Sequence, residues 1–278
     1  MSYKTIVVLI ERSWRAELLE VAFALARAED AHLVGLYSVK AMTLPAYVLT
    51  EAGPAGEAFK ANQQAWLAGR EAEARAAFEA AAARSGHEKI EWRIAEGETV
   101  PALCLSARYA DLVIAGQPAP GVDENGRAPD VHQSLALATG RPVLLVPYAG
   151  HFAGVGRNIL VAWNASRESA RAVADALPLL RKAERVSIAV FNPGHEHGEE
   201  PGADIALHLA RHGVKVSVAT RVNKDVGIGE LMLSHAADVA ADLMVMGAYG
   251  HSRIRELVLG GATRTLLESM TVPVLMSH

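Results

Sequence analysis

The sequence predicts an α/β protein of two tandem doubly wound domains, each a five-stranded parallel sheet layered between helices. Three observations support this. Short apolar runs alternate with helical segments, two signature segments recur at one offset, and the apolar content is mostly aliphatic. With 51% hydrophobic but only 5% aromatic residues, the interior must be filled by Ala, Val, Leu and Ile, as sheet-and-helix layers usually are, and disorder is excluded. At 278 residues the chain is also about twice the ~150-residue norm for one domain.

In chain order, the first half carries strand-like runs near Thr5–Ile10, Leu33–Val39, Ile90–Ile94, Leu112–Ala115 and Val143–Val146. The Ala/Glu-rich run Glu57–Arg84 reads as one long helix covering a core. The second half repeats the alternation with strands at Ile159–Trp163, Val186–Phe191, Val214–Thr220, Leu243–Met246 and Val274–Met276, and with helical segments such as Ser166–Leu180 and Val226–Ala240. Short apolar strands separated by helices point to parallel sheets covered on both faces. Right-handed crossovers then favour double winding, in which ligands bind beyond the carboxyl ends of the strands where strand order reverses.

The repeat is explicit. Ala110-Asp-Leu-Val-Ile-Ala-Gly116 returns as Ala241-Asp-Leu-Met-Val-Met-Gly247, and Pro142-Val-Leu-Leu-Val-Pro147 as Pro273-Val-Leu-Met-Ser-His278, both 131 residues later. Near the starts, Ile6 pairs with Ile159 at an offset of 153, so the first half holds 22 extra residues, placed between Lys40 and Gly86. Tyr148–Gly156 has three glycines and no apolar period, which sets domains at residues 1–148 and 157–278.

A formal net charge of −4 offers no cationic field for nucleic acid. No stretch approaches the ~18 to 20 apolar residues of a membrane span, so no membrane association is expected. The single cysteine, Cys104, reads as a buried small hydrophobe, and Met1 leads into a charged strand-like segment without a secretory core; the expected location is the cytoplasm.

The chemistry concentrates after Met246, in Gly247-Ala-Tyr-Gly250-His-Ser-Arg-Ile-Arg-Glu-Leu-Val-Leu-Gly260-Gly261-Ala-Thr263 before a helical run from Arg264 to Met270. Missing Cβ atoms at Gly247 and Gly250 would let backbone approach an anion, and Gly260 and Gly261 would present amides at the positive end of a helix. His251 and Arg253 lie within this loop, able either to reach phosphate or to stay solvated.

On these residues the chain resembles a tandem universal stress protein. Nucleotide-binding members of that family carry Gly-x2-Gly-x9-Gly-(Ser/Thr) after the fourth strand, and Gly247-x2-Gly250-x9-Gly260 fits with Gly261 in the last place. The resemblance implies adenine nucleotide alpha hydrolase-like, flavodoxin-like layering and an adenine nucleotide, usually ATP, alternatively ADP or AMP. It places Ala162, Trp163 and Asn164 along the base and ribose, with Phe191 opposite. Met246, Gly247 and Gly250 would flank the ribose and first phosphates, and Gly260, Gly261, Ala262 and Thr263 would hold the outer phosphates. Asn164 stands where the family commonly has Asp, which weakens the case for magnesium, and Gly261 lacks the family's hydroxyl. Thr263 is the substitute.

In the first half the matching positions are Gly116, Ala119, Pro129 and Asp130, with Glu11 facing the same region, so no ATP is expected there. That half is expected to pair with the second as an intramolecular pseudo-dimer; a homodimer and an unidentified regulatory protein partner are further expectations. His195, His197, His208 and His212 have spacing that allows zinc but read as surface histidines without an accompanying cysteine. Ser166 reads as an N-cap. The leading function is a stress-response regulatory protein that binds an adenine nucleotide in its C-terminal domain. The alternatives are a slow ATPase, opposed by the absence of a Walker lysine motif, and a nucleotide-free dimerisation or scaffold module.

Overall fold

The computed structural model describes residues 2–11, 15–38, 52–95, 99–117, 135–152, 154–194, 199–248 and 261–278. In chain order the elements are β1 Thr5–Ile10, α1 Ala16–Glu29, β2 His32–Tyr37, α2 Pro54–Ser85, β3 Ile90–Ile94, α3 Thr99–Ala107, β4 Leu112–Gly116 and β5 Val143–Val146. There follow β6 Asn158–Ala162, α4 Arg167–Leu180, β7 Arg185–Phe191, α5 Ala203–Arg211, β8 Val216–Arg221, α6 Ile228–Asp238, β9 Leu243–Gly247, α7 Gly261–Ser269 and β10 Val274–Ser277.

All ten strands belong to one sheet in the order β3-β2-β1-β4-β5-β10-β9-β6-β7-β8. The α/β class and the doubly wound parallel order hold within each set of five strands. What the sequence did not disclose is their fusion: β5 and β10 pair antiparallel, Leu145 opposite Val274 and Val143 opposite Met276, whereas every other pairing is parallel. Each of these strands would otherwise leave a row of backbone donors and acceptors unpaired at an edge.

Alternating side chains feed two cores. Val8, Ile10, Val161 and Val245 point to the face covered by α1, α2, α4 and α5 through residues such as Leu19, Phe78, Val173 and Leu209. Val7, Leu9, Ala162 and Met246 point to the other, with Leu103 of α3, Met232 of α6 and Leu266 of α7. The long helix expected over Glu57–Arg84 is α2, which buries Ala74, Phe78, Ala81 and Ala82 from its second half. Phe78 packs against Trp92 of β3 with ring centroids 5.6 Å apart, and Trp92 Nε1 donates to Glu71 at 2.8 Å.

Polar ties stitch the two sets together. Tyr3 donates its hydroxyl to the Asp175 carbonyl at 2.7 Å, while the Asp175 carboxylate is held within its own half by Ser277 at 2.9 Å. Lys182 reaches the buried Glu29 carboxylate at 2.7 Å. Burial, reinforced by the Glu29 and Asp175 charges, pushes the Tyr3 phenol above its ordinary range and keeps it a neutral donor.

Candidate functional site

In the C-terminal five strands β6 lies between β7 and β9, so the strand order reverses at β6, and the carboxyl ends of β6 and β9 mark the place where doubly wound sheets bind ligands. Ala162 is in register with Met246 on one side and Ala189 on the other, and both Ala162 and Met246 are buried. They form an apolar floor facing the α6–α7 core. Trp163, the next residue, packs half-buried against the opposite core, so it and Ala162 stand on different faces of the sheet.

Beyond β6 the chain turns sharply into α4. Asn164 is exposed, its Oδ1 accepts from the Ser166 N–H at 3.2 Å, and Ala165 takes the left-handed φ of 57°. Ser166 is the N-cap of α4 and accepts from Ser169 N at 3.1 Å, as its side chain suggested. Asn164 therefore spends its carbonyl oxygen on the turn, and as an amide it lacks the negative charge that magnesium prefers in a ligand.

Gly247 at the end of β9 is required by a contact that sequence reasoning attributed to a ligand. A Cβ there would lie 2.5 Å from Ser169 N and 2.6 Å from the Glu168 carbonyl carbon. The first turn of α4 thus occupies the space beside Gly247, and its missing Cβ admits that backbone. Ala248 then donates to Ser277 O at 2.8 Å. Gly250, His251, Arg253 and Gly260 lie outside the described residues. Gly261 is the first residue of α7, followed by Ala262 and the buried Thr263. The leading amides of this helix have no intrahelical acceptor, which suits them to phosphate oxygens.

Phe191, at the carboxyl end of β7, is half-buried and meets the ring of His235 edge-on, with centroids 6.0 Å apart. His235, on α6, is a residue the sequence reading missed; one lone histidine in a helical run gave no signal. It is 2% exposed. Arg221 Nε donates to its Nδ1 at 3.2 Å, so the neutral ring carries its proton on Nε2, which has no partner among the described residues. Burial, then the Arg221 charge, lowers its pKa.

The other candidates separate. His208 of α5 and His212, its C-cap, lie with ring centroids 4.7 Å apart and planes tilted by 59°, while His195 and His197 lie outside the described residues. Among the described residues no group of three or more His, Cys, Asp or Glu could hold a metal. Cys104 is buried in α3, and burial raises its thiol pKa. In the N-terminal half the matching place is a small open cleft whose walls include Glu11, Arg15, Glu17, Gly116 and Gln117; Ala119, Pro129 and Asp130 lie outside the described residues. No helix among the described residues is long and apolar enough to cross a membrane.

The model of the universal stress protein family matches residues 156–278, so one domain of that family occupies the C-terminal half. A curated relative, universal stress protein Slr1230 of Synechocystis sp., is 36% identical over 93 residues, 26% of this chain and 32% of the relative's own length. Among solved structures, a universal stress protein from Archaeoglobus fulgidus DSM 4304 is similar over 98% of this chain and 97% of its own, with 14% identity and a TM-score of 0.69. A functionally unknown protein from Pseudomonas aeruginosa PAO1 is similar over 99% of this chain and 92% of its own, with 16% identity and a TM-score of 0.58. At these identities the likenesses establish the fold, and they extend it over both halves.

Proposed function

We propose that the chain is a stress-response regulatory protein whose C-terminal half binds an adenine nucleotide, ATP or its ADP or AMP forms, between the carboxyl ends of β6 and β9 and the start of α7. The observation that carries this reading is positional. The spacing Gly247-x2-Gly250-x9-Gly260-Gly261 follows β9 at the point where strand order reverses, and ends where a helix begins. The amides at the start of α7, which have no intrahelical acceptor, suit phosphate, and the apolar Ala162–Met246 floor with Phe191 suits a base. Magnesium fits less well, since Asn164 brings no negative charge. Residues 1–148 act in this reading as a pairing half and residues 157–278 as the binding half.

The test is direct. Denaturing the purified protein should release an adenine nucleotide detectable by mass spectrometry, or calorimetry should show ATP binding to ligand-free protein. The double change Gly250→Asp and Gly260→Asp should abolish that binding while leaving circular dichroism unchanged. Empty protein that ignores added ATP would sink the reading. The close contact between Gly247 and α4 favours one second reading, a nucleotide-free scaffold that pairs with a further copy or a regulatory protein; that same negative result would support it.

A further inference from the structure

One contact between the two halves falls on the helix whose start forms part of the proposed nucleotide site. Because β10 runs antiparallel to β5, the end of α7, which delivers the chain to the start of β10, lies beside the carboxyl end of β4. Gln117, one residue past β4, uses this proximity. Its Nε2 donates to the Leu267 carbonyl of α7 at 2.6 Å, and its Oε1 accepts from Tyr148 N at 3.1 Å. Leu267 is in the last turn of α7, where carbonyls have no intrahelical donor. A side chain of the N-terminal half therefore caps a helix of the C-terminal half.

The geometry has no mirror. At the offset of 131 residues Gln117 corresponds to Ala248, and their backbones behave alike: Gln117 N donates to Val146 O at 2.7 Å and Ala248 N to Ser277 O at 2.8 Å. Only Gln117 has a side chain that can reach across. Its residue is 9% exposed, so a polar end left without its partner would be costly to bury.

We infer that Gln117 is a positioning residue for phosphate recognition in the other half: by fixing the far end of α7 it holds the amides at Gly261 in place. This rests on the nucleotide reading given above. The helix has nine residues, so its two ends are only ~13 Å apart and motion at the capped end is transmitted as a tilt of the other.

The experiment compares wild type with Gln117→Glu, which keeps size but puts a carboxylate against the Leu267 carbonyl, and with Gln117→Met, which removes both polar atoms. ATP and adenosine affinities are measured by calorimetry, and amide hydrogen exchange of residues 261–269 is followed without ligand. Expected are faster exchange in α7 and an ATP affinity about five- to tenfold weaker, with adenosine affinity within about twofold, since both variants lose the bond to the Leu267 carbonyl and only the phosphates meet the helix. Equal weakening of both ligands would assign Gln117 to general stability and overturn the inference, as would unchanged ATP affinity in both variants. Wild-type protein that binds neither ligand removes the nucleotide reading and this consequence with it; wild-type binding with indifferent variants removes the inference alone.

Discussion

The two ends of β4 and β9 differ in what they face, although the same seven-residue pattern leads to both. Among the described residues a Cβ at Gly116 would find only Leu18, at 3.7 Å, whereas one at Gly247 would meet the backbone of Ser169 at 2.5 Å. The first half leaves a cleft where the second packs the start of a helix. A shared glycine therefore does different jobs: at 247 it permits contact between backbones, while at 116 none of the described residues demands it. The half with the glycine loop is also the half with the tighter junction between strand and helix.

The largest break in this comparison should come from paired alanine changes. Gly247→Ala is expected to cost about 1–3 kcal/mol, because neither β9 nor α4 can retreat without disturbing the core. Gly116→Ala should cost nothing or add about 0.5 kcal/mol by restricting the unfolded chain. Urea unfolding of both variants measures the difference, and equal losses would show that the two strand ends are alike after all.

A smaller contrast separates the helix starts. α4 is capped by Ser166, whereas α1 begins after Arg15 with no side-chain cap bond. Ser166→Ala should cost about 1 kcal/mol and Arg15→Ala much less, read from the same denaturation curves. If Arg15→Ala proves the more harmful, the ordering of the two junctions is wrong.

The smallest effect is a pH slope. At the shared offset His235 corresponds to Cys104 of the first half, so only the second half buries an imidazole here. The folded His235 pKa lies below its ordinary 6.5, so as pH falls through 6.5 toward the lowered value the unfolded chain binds more protons and stability declines. His235→Gln should flatten that decline in unfolding free energy measured from about pH 7 down to about pH 5. An unchanged slope would mean that other groups carry it.

Much of this architecture could be read from local signals. The strand runs were legible because β-branched and aliphatic residues cluster between turn residues, and β1, β3 and β5 match their expected bounds. Ser166 was legible because a cap acts within three residues. The union of β5 with β10 was not, since edge pairing depends on backbone groups that every residue carries. Nor was the role of Gly247, whose neighbour Ser169 is 78 positions away along the chain. His235 and Gln117 were missed for the same reason: their partners Phe191, Arg221 and Leu267 meet them only through the tertiary fold.

The antiparallel seam has a consequence for how copies of the molecule can meet. With β5 and β10 saturating one another, a second molecule finds no free strand at the centre and could extend the sheet only from its rims. One rim, β3, bears the ion-paired Glu91 and Arg93, charges of the kind that discourage strand addition. The other, β8, leaves Val218 uncovered, with Val222 just past it, and β3 itself leaves Ile94 uncovered at its end, so apolar surface remains at both rims and the ion pair guards only one of them.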